Sequence, residues 1–242
     1  MSPDSIATRL DEVQRRVHEA CVAASRPVES VTLLAVSKGQ PPEAIRAAYE
    51  AGQRDFGENY AQELAAKAEA LADLPGLRWH FIGPLQRNKV KLVVGRATLV
   101  HSVDSVPLLA KIDARAGELG RPQDLLLQLN LSGEATKSGS ARHHLPELLG
   151  ALRAAPHVRC LGLMTLPPPV DDPEDAAPFF AELAALAPLV RPLLPSPDAP
   201  VVLSMGMSHD FPAAIRHGAT LVRVGTAIFG ERRPRAASEP AP

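Results

Sequence analysis

The sequence predicts an α/β protein built as a single (β/α)8 TIM barrel with an extra N-terminal helix. Three observations predict it. Eight short β-rich runs alternate with helical stretches, the pattern of a parallel sheet with right-handed crossovers. Several of those runs are apolar almost throughout, as strands covered on both faces must be. The length of 242 residues is close to the about 250 typical of a closed eight-stranded barrel. An open doubly wound sheet is the alternative, because a count of strands does not establish closure.

In chain order, residues 4–25 set Ile6, Leu10, Val13, Val17, Ala20 and Cys21 at spacings of three and four, one face of a helix. Ser2-Pro3 in front reads as a cap followed by a first-turn proline. β-rich runs follow at 31–37 (VTLLAVS), 54–58 (RDFGE), 78–83 (RWHFIG) and 98–103 (TLVHSV). Four more stand at 124–131 (DLLLQLNL), 158–166 (VRCLGLMTL), 201–205 (VVLSM) and 221–224 (LVRV). Helices are expected near 41–51, 60–72, 87–95, 105–119, 142–154, 174–190 and 209–217. Residues 192–200 (PLLPSPDAP) form a proline-rich connector. The barrel is expected to occupy residues 1–231, and 232–242 (RRPRAASEPAP) to be a frayed, disordered tail.

Composition narrows the function classes. With 26 Lys+Arg against 27 Asp+Glu, the net charge of −1 supplies no global field for nucleic acid or an anionic membrane. One Trp, two Tyr and six Phe leave little surface for stacking bases. Arg87, Lys89, Lys91 and Arg96 cluster, and read as a solvated face rather than a nucleic-acid site. Charges at Asp4, Asp11, Glu12, Arg15, Arg16 and Glu19 interrupt the first 25 residues, so no signal-peptide core is expected there. No run is expected to reach the roughly 18–20 apolar residues of a membrane span. Cys21 and Cys160 cannot make a disulfide framework, so a reduced, cytoplasmic setting is expected.

In a barrel of this kind the site lies at the carboxyl ends of the strands. Lys38 closes an otherwise apolar run. Desolvation there favours the neutral amine that forms imines; a lysine snorkelling past a strand end is the alternative. The glycine-bearing turns after the last two strands carry Ser204, Ser208, Gly225 and Thr226. Hydroxyls and exposed backbone N–H groups there make a recurrent phosphate seat, or ordinary turn chemistry. Arg223 lies inside a strand between Val222 and Val224, where a permanent charge needs a partner. Asn59 and His80 are polar groups at two further strand ends. An imine-forming lysine facing a phosphate seat and an arginine points to a phosphorylated aldehyde, which pyridoxal phosphate is. A Schiff-base aldolase fits the same chemistry nearly as well. No metal-ligand spacing stands out.

Seven stretches carry a resemblance: LLAVSKGQP (33–41), FGENYAQE (56–63), WHFIGPLQRNK (79–89), GEATKSG (133–139), LGLMT (161–165), LSMGMSHDF (203–211) and VRVGTAIFGER (222–232). In this order, over nearly the whole chain, they resemble the pyridoxal phosphate homeostasis proteins. The resemblance implies a monomeric barrel of the alanine-racemase type, PLP fold type III, that binds pyridoxal 5′-phosphate without established catalytic turnover. It implies a Schiff base on Lys38 and a phosphate held by Ser204, Gly225 and Thr226, assisted by Ser208. Arg223 would face the pyridine nitrogen, with Asn59 and His80 near the ring. The family is thought to buffer the cofactor or deliver it to apo-enzymes. Members often read SKTKP where this chain has SKGQP, so Gln40 replaces a second lysine and any role of that lysine does not transfer. Lys89 and Lys137 keep their motif contexts and read first as solvated surface amines.

The rival is a PLP-dependent amino-acid racemase, which needs acid/base groups on both faces of the cofactor. Lys38 can serve one face. Tyr49 falls within a predicted helix, remote from the barrel mouth, and Tyr60 follows Asn59. The dozen polar, proline-rich residues after the last strand cannot make the second, β-rich domain that supplies such a base in racemases. The expectation is a carrier, not an enzyme.

Overall fold

The computed structural model describes residues 5–134 and 138–230. The cap expected at Ser2-Pro3, the Lys137 side chain and the tail at 232–242 lie outside the described residues. All eight expected strands form: β1 (Thr32–Val36), β2 (Asp55–Glu58), β3 (Arg78–Phe81), β4 (Leu99–Val103), β5 (Gln123–Asn130), β7 (Val158–Thr165), β8 (Val202–Met207) and β9 (Leu221–Val224). They pair in parallel in chain order, β4 meets β5, and β9 returns to β1 with Leu34 opposite Arg223. The ring is therefore closed, which decides against the open sheet. A two-residue strand, β6 (Ser140–Ala141), was not legible in the sequence; it pairs with Leu129 and Asn130, just beyond where β4 stops at Leu127.

The helices are α1 (Ile6–Ala23), α2 (Pro42–Glu50), α3 (Ala61–Ala70), α4 (Val90–Val93), α5 (Val106–Glu118), α6 (Leu145–Arg153), α7 (Ala177–Val190), α8 (Phe211–Arg216) and α9 (Thr226–Phe229). Ser5 caps α1, its hydroxyl accepting from the Thr8 N–H at 3.1 Å. The helix buries Leu10, Val13, Val17, Ala20 and Cys21 and packs on α2, α8 and α9. Arg26 ties its end to the barrel by donating to the carbonyls of Ile215 and Ala219, each at 2.7 Å.

Pro173–Leu193 departs from the expectation that no stretch is apolar enough to cross a membrane: it qualifies by length and composition. It is broken into α7 and two flanking 3-10 turns, and α7 buries Phe180, Leu183, Leu186 and Val190 in the core. Its apolar character is used against the barrel wall.

Two apolar layers result. The outer one lies between ring and helices and includes Phe56, Leu64, Trp79, Phe180 and Phe211. The inner one fills the ring with Leu34, Ile82, Leu99, Leu126, Met164 and Leu221. Residues two apart share a strand face. Placing Ile82, Leu99 and Leu221 inside therefore places His80, His101 and Arg223 inside too, and all three are buried.

Candidate functional site

A cavity of about 230 Å3 opens at the carboxyl end of the ring. Lys38, Gln40 and Asn59 line one side, Met207, Ser208, Gly225 and Thr226 the other, with Arg223 among them and Val36, Ile82 and Leu166 as apolar wall. Six of the expected site residues thus meet: Lys38, Asn59, Ser208, Arg223, Gly225 and Thr226. His80 and Ser204 do not line it. Ser204 was placed at a strand end by a run stopping at 205, but β8 continues to Met207. That extension puts Ser204 inside the ring, fully buried.

Local constraints hold the walls. Lys38 follows β1 in a turn closed by Gln40 N–H donating to the Ser37 carbonyl at 3.0 Å, with Gly39 at φ 71°. A buried cluster anchors that turn. Lys67 of α3 donates to the Ser37 carbonyl, Glu58 Oε1 and Glu63 Oε1, each at 2.7 Å. Ser37 Oγ donates to Glu58 Oε1, and Gly39 N–H to Glu63 Oε1, each at 2.6 Å. Burial pushes the Glu58 carboxyl up against the opposing pull of Lys67. At β8, Gly206 has φ 89°, and Asp210 Oδ1 accepts from Met207 N–H at 2.5 Å, fixing the turn that carries Ser208. Gly225 lets the last turn run beside β1: a Cβ there would stand 3.1 Å from the Val36 carbonyl.

Arg223 is 3% exposed. Its Nη1 donates to Ser204 Oγ at 2.6 Å and its Nη2 to the Thr165 carbonyl at 2.9 Å. No carboxylate pairs with it among the described residues; Asp210 acts on it only at longer range. Burial lowers its pKa to about 10, which still leaves it charged near neutrality. Of its five donors, those not used in these two bonds are available to whatever enters the cavity.

Behind Arg223 runs a buried series. His101 Nδ1 lies 2.9 Å from Ser204 Oγ, and His101 Nε2 lies 2.9 Å from His80 Nδ1. His80 Nε2 lies 3.1 Å from Asp55 Oδ1. Arg78 Nε and Nη2 donate to the two Asp55 oxygens at 2.6 and 2.5 Å. Burial would raise the Asp55 pKa, but the bonds from His80 and Arg78 outweigh it and hold it at about 2. Complete burial, with the Arg223 charge adding to it, pushes His101 well below its ordinary value.

The sequence reading missed Glu58, Lys67, Asp55 and His101. Two signals were present. Lys67 shares the helix face of Ala61 and Leu64, both buried, so its amine had to find partners inside. His101 stands two residues after Leu99, which fixes it to the ring interior.

The cavity suits a small anionic carbonyl compound on chemical grounds. Lys38 brings an amine, and Arg223 a buried charge with no paired carboxylate among the described residues. Asn59 Oδ1 is buried without a partner among the described residues, an acceptor awaiting a donor. Gln40 brings an amide rather than a second amine. Tyr49 donates to the Pro75 carbonyl at 2.7 Å and Tyr60 precedes α3; neither lines the cavity. Arg87, Lys91 and Arg96 are exposed and Lys89 half-buried, outside the cavity.

Fold and site together define an alanine-racemase-type barrel: the model of the alanine racemase N-terminal domain matches residues 8–233. A pyridoxal phosphate homeostasis protein from Aquifex aeolicus is 45% identical, over 93% of this chain and 97% of that one. Another from Pseudomonas aeruginosa is 46% identical, over 94% and 96%. The structure of PipY from Synechococcus elongatus with PLP bound superposes with a TM-score of 0.77 at 40% identity, over 93% of this chain and 100% of that one. The chain belongs to the pyridoxal phosphate homeostasis protein family.

Proposed function

We propose that this protein binds pyridoxal 5′-phosphate as a Schiff base on Lys38 and serves intracellular homeostasis of the cofactor, buffering it or delivering it to apo-enzymes. The observation that carries the reading is the meeting of Lys38 with the unpaired Arg223 charge in one small cavity. The cofactor supplies an aldehyde, which an amine takes up reversibly with loss of water, and a phosphate. Ser208, Gly225 and Thr226 are the groups positioned for the phosphate, and Asn59 and Arg223 for the ring. Ser204 and His80 act from beneath, through Arg223. The relatives are named for homeostasis, not for a reaction, which supports a carrier over a racemase. A monomer acting in the cytoplasm completes the proposal.

Adding pyridoxal phosphate to the purified protein should raise a yellow imine absorption. Borohydride should then fix the adduct on Lys38, and Lys38→Ala should abolish it. Adducts spread over surface lysines and unchanged in Lys38→Ala would refute the assignment. Sustained loss of optical purity of single-enantiomer alanine, proportional to protein and lost in Lys38→Ala, would replace the carrier with a racemase.

A further inference from the structure

We propose that Asp55, His80, His101 and Ser204 are positioning residues for Arg223, forming a one-way series of hydrogen bonds through the ring interior that fixes how the guanidinium is presented to the cavity. The functional part of this proposal rests on the binding reading above; the direction of the series does not.

The direction follows from counting protons. Asp55 is ionised and only accepts, so His80 donates to it from Nε2. A neutral His80 then accepts at Nδ1, and His101 must donate to it from Nε2. That leaves His101 Nδ1 as an acceptor, which takes the Ser204 hydroxyl hydrogen. The Ser204 oxygen in turn presents a lone pair to Arg223 Nη1. Every donor in the series finds one acceptor.

The reverse direction fails the same count. It needs a charged His80 donating to His101, and His101 donating to Ser204. Ser204 Oγ would then face two donors, Arg223 and His101, and its own hydrogen would have no acceptor in a fully buried site. It would also bring a second positive charge toward Arg223. The other charged group acting on Arg223 is Asp210, at the start of α8, while Thr165 of β7 offers only its carbonyl. Asp55 thus sets the sense of the series from the amino-terminal end of β2, and Arg78, whose side chain is half exposed, braces Asp55 there. A group on the opposite face of the barrel is in this way wired to the cavity.

Two measurements test this on the full-length protein. Nitrogen-15 shifts of the histidine rings, without cofactor at neutral pH, should show His80 and His101 both neutral with hydrogen on Nε2. Hydrogen on Nδ1 of either ring, or a charged His80, would overturn the proposed direction. The second compares His101→Leu, which breaks the series, with His101→Gln, whose amide can accept from Ser204 and donate to His80 in the same sense. Pyridoxal phosphate should bind His101→Leu about tenfold more weakly, the scale of one charge-assisted hydrogen bond, with a shifted imine absorption maximum. His101→Gln should return both toward the parent. Equal behaviour of the two variants, altered or unaltered, would overturn the positioning role. Failure of the parent to form a reducible linkage at Lys38 would refute the binding reading instead, while the ring-nitrogen measurement still decides the direction.

Discussion

Gly206 is the residue on which the turn carrying Ser208 depends. At φ 89° it occupies a region L side chains avoid, and an added Cβ would meet Ala214 Cβ at 2.6 Å and Phe211 Cα at 3.0 Å. Gly206→Ala should therefore destabilise the protein by about 1–3 kcal/mol, measured by urea unfolding, and weaken pyridoxal phosphate binding because Ser208 follows two residues later. Single residues were unevenly legible. Lys38 could be read because the apolar run before it fixes its place at a strand end, facing the barrel mouth. Ser204 was misplaced because sequence shows that a serine is near a strand end, not how far the strand continues past it. Asn59 could be read as a strand-end polar group, whereas its unpartnered oxygen emerges only from packing.

The element that orders the amine side is α3, through Lys67. Its ammonium joins the ends of β1 and β2 by bonds to Ser37 and Glu58. Glu58 is fully buried, and its second oxygen has no partner among the described residues. Lys67→Met would leave that carboxylate buried with its cation removed, a loss of about 3–5 kcal/mol. Adding Glu58→Gln should recover part of it, and a double variant no better than the single would refute the pairing. Element boundaries held to within a residue or two where hydrophobic periodicity was strong, as in α1 and α5. They failed for short pieces: the helix expected at 87–95 is a 3-10 turn followed by the four-residue α4, and neither β6 nor α9 is long enough to show a period.

At the scale of the molecule, two buried groups give stability the same acid sensitivity. His101 has a depressed pKa in the fold, so below its ordinary 6.5 the unfolded chain takes up the proton first and stability falls with falling pH. Asp55, held at about 2 against an ordinary 3.8, adds stability that is complete above 3.8 and is lost as pH falls through about 2. That contribution is about 2 kcal/mol. Glu58 has the opposite sign: its raised pKa favours the fold at low pH, and this is lost as pH rises through its folded value. The decline beginning below pH 6.5 should be shallower in His101→Gln, and the further decline below about pH 4 shallower in Asp55→Asn, each followed by chemical unfolding across pH. An unchanged slope in either variant would refute that group's share. The barrel class was legible from alternation and strand count. Closure was not, because it depends on β9 finding β1, a pairing with no local signature.

That pairing governs when the site can first exist. Lys38 is synthesised well before Arg223, and they become neighbours only when β9 docks on β1. A nascent chain still missing β9 has the Lys38 amine but not the walls around it. Under the proposed function, uptake at Lys38 has to wait for β9, since a nascent chain ending before it lacks Arg223, Gly225 and Thr226 of the cavity lining.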